Sequence, residues 1–218
     1  LHLWTRRQRQ MCIRDSYFRG RLIFPISDRR GQIIGFGGRA LNNQEPKYLN
    51  SPETSLFQKG QILYQGQLTR EIAHKTNQLI VVEGYMDVIS LAEFGISNAV
   101  APLGTALTEG QIRELWKFST EPIICFDGDS AGMRAAVRAC DRLLPMLEPG
   151  FSARFASLPP GEDPDDIVRR GGANNFRELL ETSTGLSDFF WETEKSNGSL
   201  DTPEKQAAFF KRIRKRVG

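Results

Sequence analysis

From residue 78 to residue 159 the chain alternates short apolar runs with amphipathic runs of helical length. QLIVVEG reads as a strand, YMDVISLAEFG as a helix ending at Gly95, and ISNAVAPLG as a strand. TEGQIRELWKF reads as a helix, EPIICFDGD as a strand, AGMRAAVRACDRLLPML as a helix and FSARFASLP as a strand. Strands alternating with helices of this length form βαβ units and a mainly parallel sheet. LIVV and IICF are apolar without a break, which suits strands covered by helices on both faces. Thr108 with Gln111 three residues on is a capping-box pattern that opens one of the helices.

In such a sheet, ligands bind at the carboxyl ends of the strands. The acidic residues fall there. Glu83 ends the first strand, just before Gly84, and Asp87 lies on the first turn of the next helix, on the side of Glu83. Asp127 and Asp129 end the third strand, and Asp163, Asp165 and Asp166 follow the fourth in EDPDD. Three acidic groups from distant parts of the chain thus reach one sheet edge. Taken singly, each could be a turn or a helix cap. Together they repel unless a cation neutralises them. Oxygen ligands with no His or Cys beside them select hard ions, Mg²⁺ or Mn²⁺. Such ions stabilise a transferring phosphoryl group and lower the pKa of an attacking hydroxyl.

Around this core the signals are plainer. Residues 21–41 read as a hairpin: RLIFPI, the turn SDRRGQ and the returning IIGFGGRAL, with Pro25 marking an edge. Gly35, Gly37 and Gly38 precede no helix, so they are read as a bulged strand closely approached by another group, not as a dinucleotide loop. Residues 42–60 form a long polar loop, of a length often tied to function, and residues 61–76 a helix. DPDDIVRRGG turns from loop into a short helix, and residues 174–218 read as helical with no strand pattern. Residues 1–16 fit nothing that follows. Their MCIRDS looks like a translated sequencing or cloning adaptor, so the segment is set aside as an artefact.

Of the 218 residues, 39% are hydrophobic and 25% charged, ordinary for a globular protein with a real core. No apolar run approaches the roughly 18 residues needed to span a bilayer, and no signal segment stands at the start. A cytoplasmic home is expected. Cys12, Cys125 and Cys140 form no CxxC pair, so neither a disulfide framework nor a zinc site is expected, and Cys125 reads as a small core residue. His74 is placed on an exposed helix face. Net charge is only +3, but arginines crowd residues 6–39 and bases crowd the last eight residues. Basic clusters beside a focused acidic site suit a polyanion held near metal ions.

EGYMD, followed 44 residues after Glu83 by DGD at Asp127, resembles the Toprim signature of primases, type IA and type II topoisomerases and some nucleases and recombination proteins. FRGRLIFPI, GQIIGFGGRAL, PKYLNSPET, FQKG, VVEGYMDVISL, APLGTALT, FDGDSAGMRAA and LPPGEDPDDIVRRGG, between Tyr17 and Gly172, are similar to the RNA polymerase domain of DnaG-type bacterial DNA primase. The resemblance implies an α/β Toprim fold: a mainly parallel sheet flanked by helices, preceded by a β-hairpin subdomain remnant and followed by helices. It divides the chain into residues 17–76, the end of a basic amino-terminal subdomain; 77–159, the Toprim domain, with its acidic site reaching 172; and 173–218, the start of a helical subdomain.

The implied activity is synthesis of RNA primers on single-stranded DNA from ribonucleoside triphosphates, by metal-dependent nucleotidyl transfer in DNA replication. Glu83, Asp127 and Asp129 would be the catalytic acids. Glu83, Asp87, Asp127, Asp129, Asp163 and Asp165 would bind Mg²⁺ or Mn²⁺, more than one ion. Arg19, Arg21, Arg39, Lys47, Asn50 and Lys59 would line a basic ridge that meets template and triphosphate. The family's zinc module and its helicase-binding C-terminal domain have no counterpart here, so a fragment is expected, monomeric and without a membrane. Alternatives are a truncated metal- or DNA-binding module without catalysis, or the Toprim domain of a phage-type primase–helicase or a nuclease. A topoisomerase would need a nucleophilic tyrosine in a cleavage domain, and a primase–helicase a P-loop; neither pattern is present.

Overall fold

The computed structural model describes residues 17–104, 106–196 and 198–217. The segment 1–16 set aside above lies outside the described residues. The expected hairpin is present. Strand β1 (Arg21–Ser27) pairs antiparallel with β2 (Ile33–Ala40), with a register shift at Ile26–Ser27. Its turn is held by Asp28, whose Oδ1 accepts from the N–H groups of Arg30 (2.8 Å) and Gln32 (2.9 Å). That is the local hydrogen bonding for which Asp suits turns. A third strand, β3 (Tyr48–Asn50), pairs antiparallel with β2 and sets Tyr48 opposite Arg39. It lies in the stretch expected to be all loop, because three residues are too few to show a period. Phe24, Ile26 and Phe57 are buried under this sheet. A Cβ on Gly35 would meet the Phe57 ring at 3.1 Å, the close approach that the glycine pattern foretold.

Residues up to Gln58 make one compact unit and those from Lys59 onward another. Residues 59–76 pack with the second unit. Lys59–Gln61 make a short 3₁₀ turn, and β4 (Leu63–Tyr64) pairs antiparallel with β6 (Ala99–Pro102). The fully buried side chain of Gln111 donates to the carbonyls of Lys59 (2.9 Å) and Ile62 (3.1 Å) while its oxygen accepts from Thr108 N–H. Helix α1 therefore starts only at Gly66 and runs to Thr76, with His74 exposed.

The second unit is a six-stranded sheet in the order β4-β6-β5-β7-β8-β9. Strands β5 (Ile80–Val81), β6, β7 (Ile123–Cys125) and β8 (Arg154–Ala156) run parallel. β4 and β9 (Thr184–Gly185) close the two edges antiparallel. β9 corrects the expectation that residues 174–218 hold no strand; two residues again leave no periodic trace. Between the strands lie α2 (Tyr85–Glu93), α3 (Glu109–Leu115) and α4 (Ser130–Leu143). Then come α5 (Pro164–Glu181), α6 (Leu186–Ser196) and α7 (Pro203–Val217). α5 outlasts the short helix expected from DPDDIVRRGG. Gly172, at φ 72°, interrupts it, and helix resumes beyond.

Parallel crossovers are right-handed. The step from β5 back to β6 puts α2 on one face, where it packs on α5. The steps from β6 to β7 and from β7 to β8 put α3 and α4 on the other, with α6 against α4. The core between them includes Leu79, Val81, Val100, Ile112, Leu115, Ile124, Leu143 and Phe155. Cys125 is a buried core residue, as expected. The Phe155 ring stacks on Phe189 with centroids 4.0 Å apart. Phe155→Ala should cost about 3–5 kcal/mol in chemical denaturation; a loss under about 1 kcal/mol would show that the site collapses around the deletion. α7 is fastened by charge. Glu194 of α6, buried, is paired with Arg212 and Arg216 of α7, and Arg216 also pairs with Asp141 of α4. Two cations compensate Glu194, so its buried charge is not left unpaired.

Candidate active site

The chain leaves β5 for β6 on one side and leaves β7 for β8 on the other. β5 and β7 are neighbours, so their carboxyl ends flank a topological switch point, where open α/β sheets bind ligands. Glu83 follows β5 and Asp127 follows β7. The Asp127 N–H donates to Glu83 Oε1 at 3.2 Å, linking the two strand ends across the crevice. Asp87, on the first turn of α2, accepts from Gly84 N–H at 3.0 Å. Asp129 caps α4, its Oδ1 accepting from the N–H groups of Ala131 (2.8 Å) and Gly132 (2.7 Å). Asp163 caps α5 by accepting from Asp166 N–H at 2.8 Å, while Asp166 accepts from Asp163 N–H. The capping roles foreseen as alternatives are therefore real. They engage part of each carboxylate and aim the group at the strand ends.

Two backbone hydrogen bonds deliver the EDPDD loop to this edge. Gly128 N–H donates to Glu162 O (2.8 Å), and Gly161 N–H donates to Gly128 O (2.9 Å). The consequence is electrostatic. Burial, followed by the charges of Glu83, Asp87, Asp163 and Asp129, pushes the Asp127 carboxyl up to about 7. Burial, against the Gly84 hydrogen bond and helped by Asp163, Glu83 and Asp165, pushes Asp87 up to about 6. Burial also raises Glu83, with Asp129 adding to it and the Asp127 N–H and Arg138 opposing it. Asp127 Oδ1 is buried and has no hydrogen-bond partner among the described residues.

Asp165, expected among the metal-site acids, has side-chain partners of its own. It accepts from the Ser90 hydroxyl of α2 and from Arg169 Nε (2.6 Å), and Arg169 also reaches Glu93 at 3.8 Å. Asp165 thus buckles α5 to α2, through partners that sequence reading did not single out. An arginine four residues on, in DPDDIVRR, is the signal that could have revealed the pairing.

Among the described residues no three acids already lie close enough to hold an ion. The donors that remain nevertheless fit a hard divalent cation: an orphaned buried carboxylate oxygen on Asp127, carboxyls that raise one another, and no thiolate or imidazole among them. Glu83, Asp87, Asp127, Asp129 and Asp163 are the groups that could close on it.

In the first unit, Arg19 and Lys47 are exposed and Arg39 is half-buried. Arg39 and Lys47 approach the exposed ring of Tyr48 at 5.8 and 5.7 Å from its centroid. Tyr48 was missed by sequence reasoning; its place opposite Arg39 depends on the unforeseen β3. Arg21, expected on the basic ridge, is buried and donates to the carbonyls of Pro46 (2.7 Å) and Lys47 (3.4 Å). It holds the 46–47 loop. Asn50 accepts at its carbonyl from the Tyr17 hydroxyl (3.0 Å). Lys59 belongs to the second unit, where its carbonyl is tied to Gln111.

Two family profiles match the sequence: "DNA primase catalytic core, N-terminal domain" over residues 2–70, reaching into the segment set aside above, and "Toprim-like" over residues 80–168. The DNA primase of Escherichia coli K12 is 47% identical over 190 residues, 87% of this chain and 33% of that protein. The chain thus spans about a third of the length of the curated relatives it matches. A DNA primase domain from Pseudomonas aeruginosa superposes with TM-score 0.88 at 45% identity, over 92% of this chain and 63% of that one. A DnaG primase catalytic domain bound to ssDNA superposes with TM-score 0.81 at 45% identity, over 87% and 61%. The fold is of the Toprim type seen in primase cores: a mostly parallel sheet flanked by helices, with the hairpin before it and helices after it.

Proposed function

Because the chain belongs to the DnaG-type bacterial DNA primases, as part of their catalytic core, we propose that it serves RNA primer synthesis on single-stranded DNA in replication. The reaction is nucleotidyl transfer from ribonucleoside triphosphates. The observation that carries the reading is the buried, unpartnered oxygen of Asp127 at the switch point, among carboxyls that raise one another. Glu83, Asp127 and Asp129 are assigned as catalytic acids and, with Asp87 and Asp163, as holders of Mg²⁺ or Mn²⁺, more than one ion. Bound there, such ions would neutralise charge on the α-phosphate and lower the pKa of the attacking 3′-hydroxyl. The chain's own part is placement. The Asp127 N–H orients Glu83, and helix caps fix Asp129 and Asp163. The dry floor of Val81, Ile124 and Cys125 strengthens every charge interaction above it.

Arg19, Arg39, Lys47, Asn50 and Lys59 are assigned to template and nucleotide phosphates, with Arg21 holding the loop that carries Lys47. Residues 17–76, 77–159 and 173–218 are proposed as the basic subdomain, the Toprim domain and the start of a helical subdomain, with residues 59–76 packed into the sheet unit. A cytoplasmic monomer acting with a replicative helicase through a C-terminal domain completes the reading. No helix among the described residues is long and apolar enough to cross a membrane.

The test is Mg²⁺-dependent incorporation of labelled ribonucleotides on single-stranded DNA. Incorporation that disappears in Glu83→Ala supports the reading; a folded wild-type chain that never incorporates overturns catalysis by this chain and leaves the non-catalytic binding module. Lys47→Ala should weaken binding to single-stranded DNA and flatten the log Kd against log salt line by about 0.7, one phosphate's worth. An unchanged slope would remove Lys47 from the phosphate contacts.

A further inference from the structure

Helices α2 and α5 each bring an acid to the edge, Asp87 on the first turn of one and Asp163 at the cap of the other. Below those acids the two helices are tied together by side chains. Ser90 of α2 is buried, and its hydroxyl donates to Asp165 Oδ1. Arg169 Nε donates to the same oxygen at 2.6 Å, and its guanidinium reaches Glu93 of α2 at 3.8 Å. Ser90 and Glu93 are three residues apart and Asp165 and Arg169 four, so each pair is one turn apart on one face of its helix. The ties run from 90 to 165 and from 93 to 169. The helices therefore lie side by side and point the same way. Continued back toward both N-termini, this register brings Asp87 beside the start of α5, which Asp163 caps.

Two carboxylates at one level repel, and so do the like-signed ends of two parallel helices. Something must hold the helix starts together until a cation arrives. Apolar packing contributes, since Val88 and Leu91 of α2 and Ile167 and Val168 of α5 are buried. Burial has no direction, however, and does not fix how far one helix slides along another. Hydrogen bonds between set donors and acceptors do. Those to a carboxylate are the stronger kind, and here two donors converge on one oxygen of Asp165. Stability alone accounts poorly for Arg169, which is exposed, because an exposed ion pair adds little to it.

We propose that Ser90 and Arg169 are positioning residues of the acidic site: acting through Asp165, they lock the register of α2 against α5 and so hold Asp87 and Asp163 at the spacing that receives a divalent cation. The assignment rests on the metal-ion reading above. Calorimetric titration of this chain with Mg²⁺ alone, beside thermal melting of the metal-free protein, tests it. Ser90→Ala should weaken Mg²⁺ binding about tenfold, as for loss of an outer partner that orients a ligand set. Arg169→Ala should weaken it as well, although removing a cation from an acidic edge would by charge alone tighten it. Arg169→Lys, which returns the charge and a donor, should recover part of the loss. Melting temperatures of the Arg169 variants should stay within about 2 °C of wild type. Unchanged Mg²⁺ affinity in Ser90→Ala overturns the proposal. So does unchanged or tighter binding in Arg169→Ala, which would leave the ties as fastenings of the fold alone. A folded wild-type chain that binds Mg²⁺ no better than Glu83→Ala removes the metal-ion reading itself, and this positioning role with it.

Discussion

Asp127→Asn is expected to raise the melting temperature of the metal-free protein at pH 8 by about 2–4 °C, the shift for about 1 kcal/mol in a chain of this size. The same change should abolish Mg²⁺-dependent ribonucleotide incorporation. One cause underlies both effects. Asp127 is held where burial and four neighbouring carboxylates oppose its charge. Its carboxyl titrates at about 7 in the folded state and near 3.9 in the unfolded chain. Between those values the folded state binds the proton that the unfolded chain releases. The stabilisation is therefore complete at low pH and is lost as pH rises through 7. Metal-free wild type should melt progressively lower from pH 5 to pH 8, and Mg²⁺ should recover more of the loss at pH 8 than at pH 5. Asp127→Asn should flatten that fall, with a remainder due to Asp87, pushed up to about 6, and to Glu83, also raised by burial. A variant that melts below wild type at pH 8 without metal, or that retains full incorporation, would dismiss Asp127 from this role.

Gly128→Ala should be as damaging as losing a carboxylate, although it removes none. A Cβ there would lie 2.0 Å from the Pro159 carbonyl oxygen and 3.1 Å from that of Glu162. Both are backbone atoms, so no side chain can swing aside. The loops must part, which breaks the hydrogen bonds from Gly128 N–H to Glu162 O and from Gly161 N–H to Gly128 O. Overpacking of this kind costs about 1–3 kcal/mol. The larger effect should be on function, since those bonds deliver Asp163 to the acidic edge. Denaturation and Mg²⁺ titration together are decisive. Wild-type Mg²⁺ affinity in Gly128→Ala would mean that the acidic edge does not depend on this close approach.

The resemblance carried by EGYMD, FDGDSAG and GEDPDD was legible because those words are contiguous. So was the placement of Glu83, Asp127 and Asp129 at strand ends, which follows from an apolar run stopping at a carboxylate. Arg21 shows the limit. Nothing local distinguishes it from Arg19, yet one is buried on the carbonyls of Pro46 and Lys47 and the other is exposed. Asp165 shows it again, since its hydroxyl partner Ser90 is 75 residues away. The short strands β3, β4 and β9 were invisible for a related reason: two or three residues become a strand only when a neighbour supplies the hydrogen bonds.

By itself, then, the sequence determined the alternating α/β order, the parallel core strands and the acids at their ends. These are properties of hydrophobic period and chain order, which short-range residue choice encodes directly. Only the tertiary structure decided which acids stay unpartnered, where the compact units divide, and that β5 and β7 lie side by side so that Glu83 and Asp127 meet. Those outcomes depend on charges, burial and hydrogen-bond partners brought together by packing from far apart in the chain.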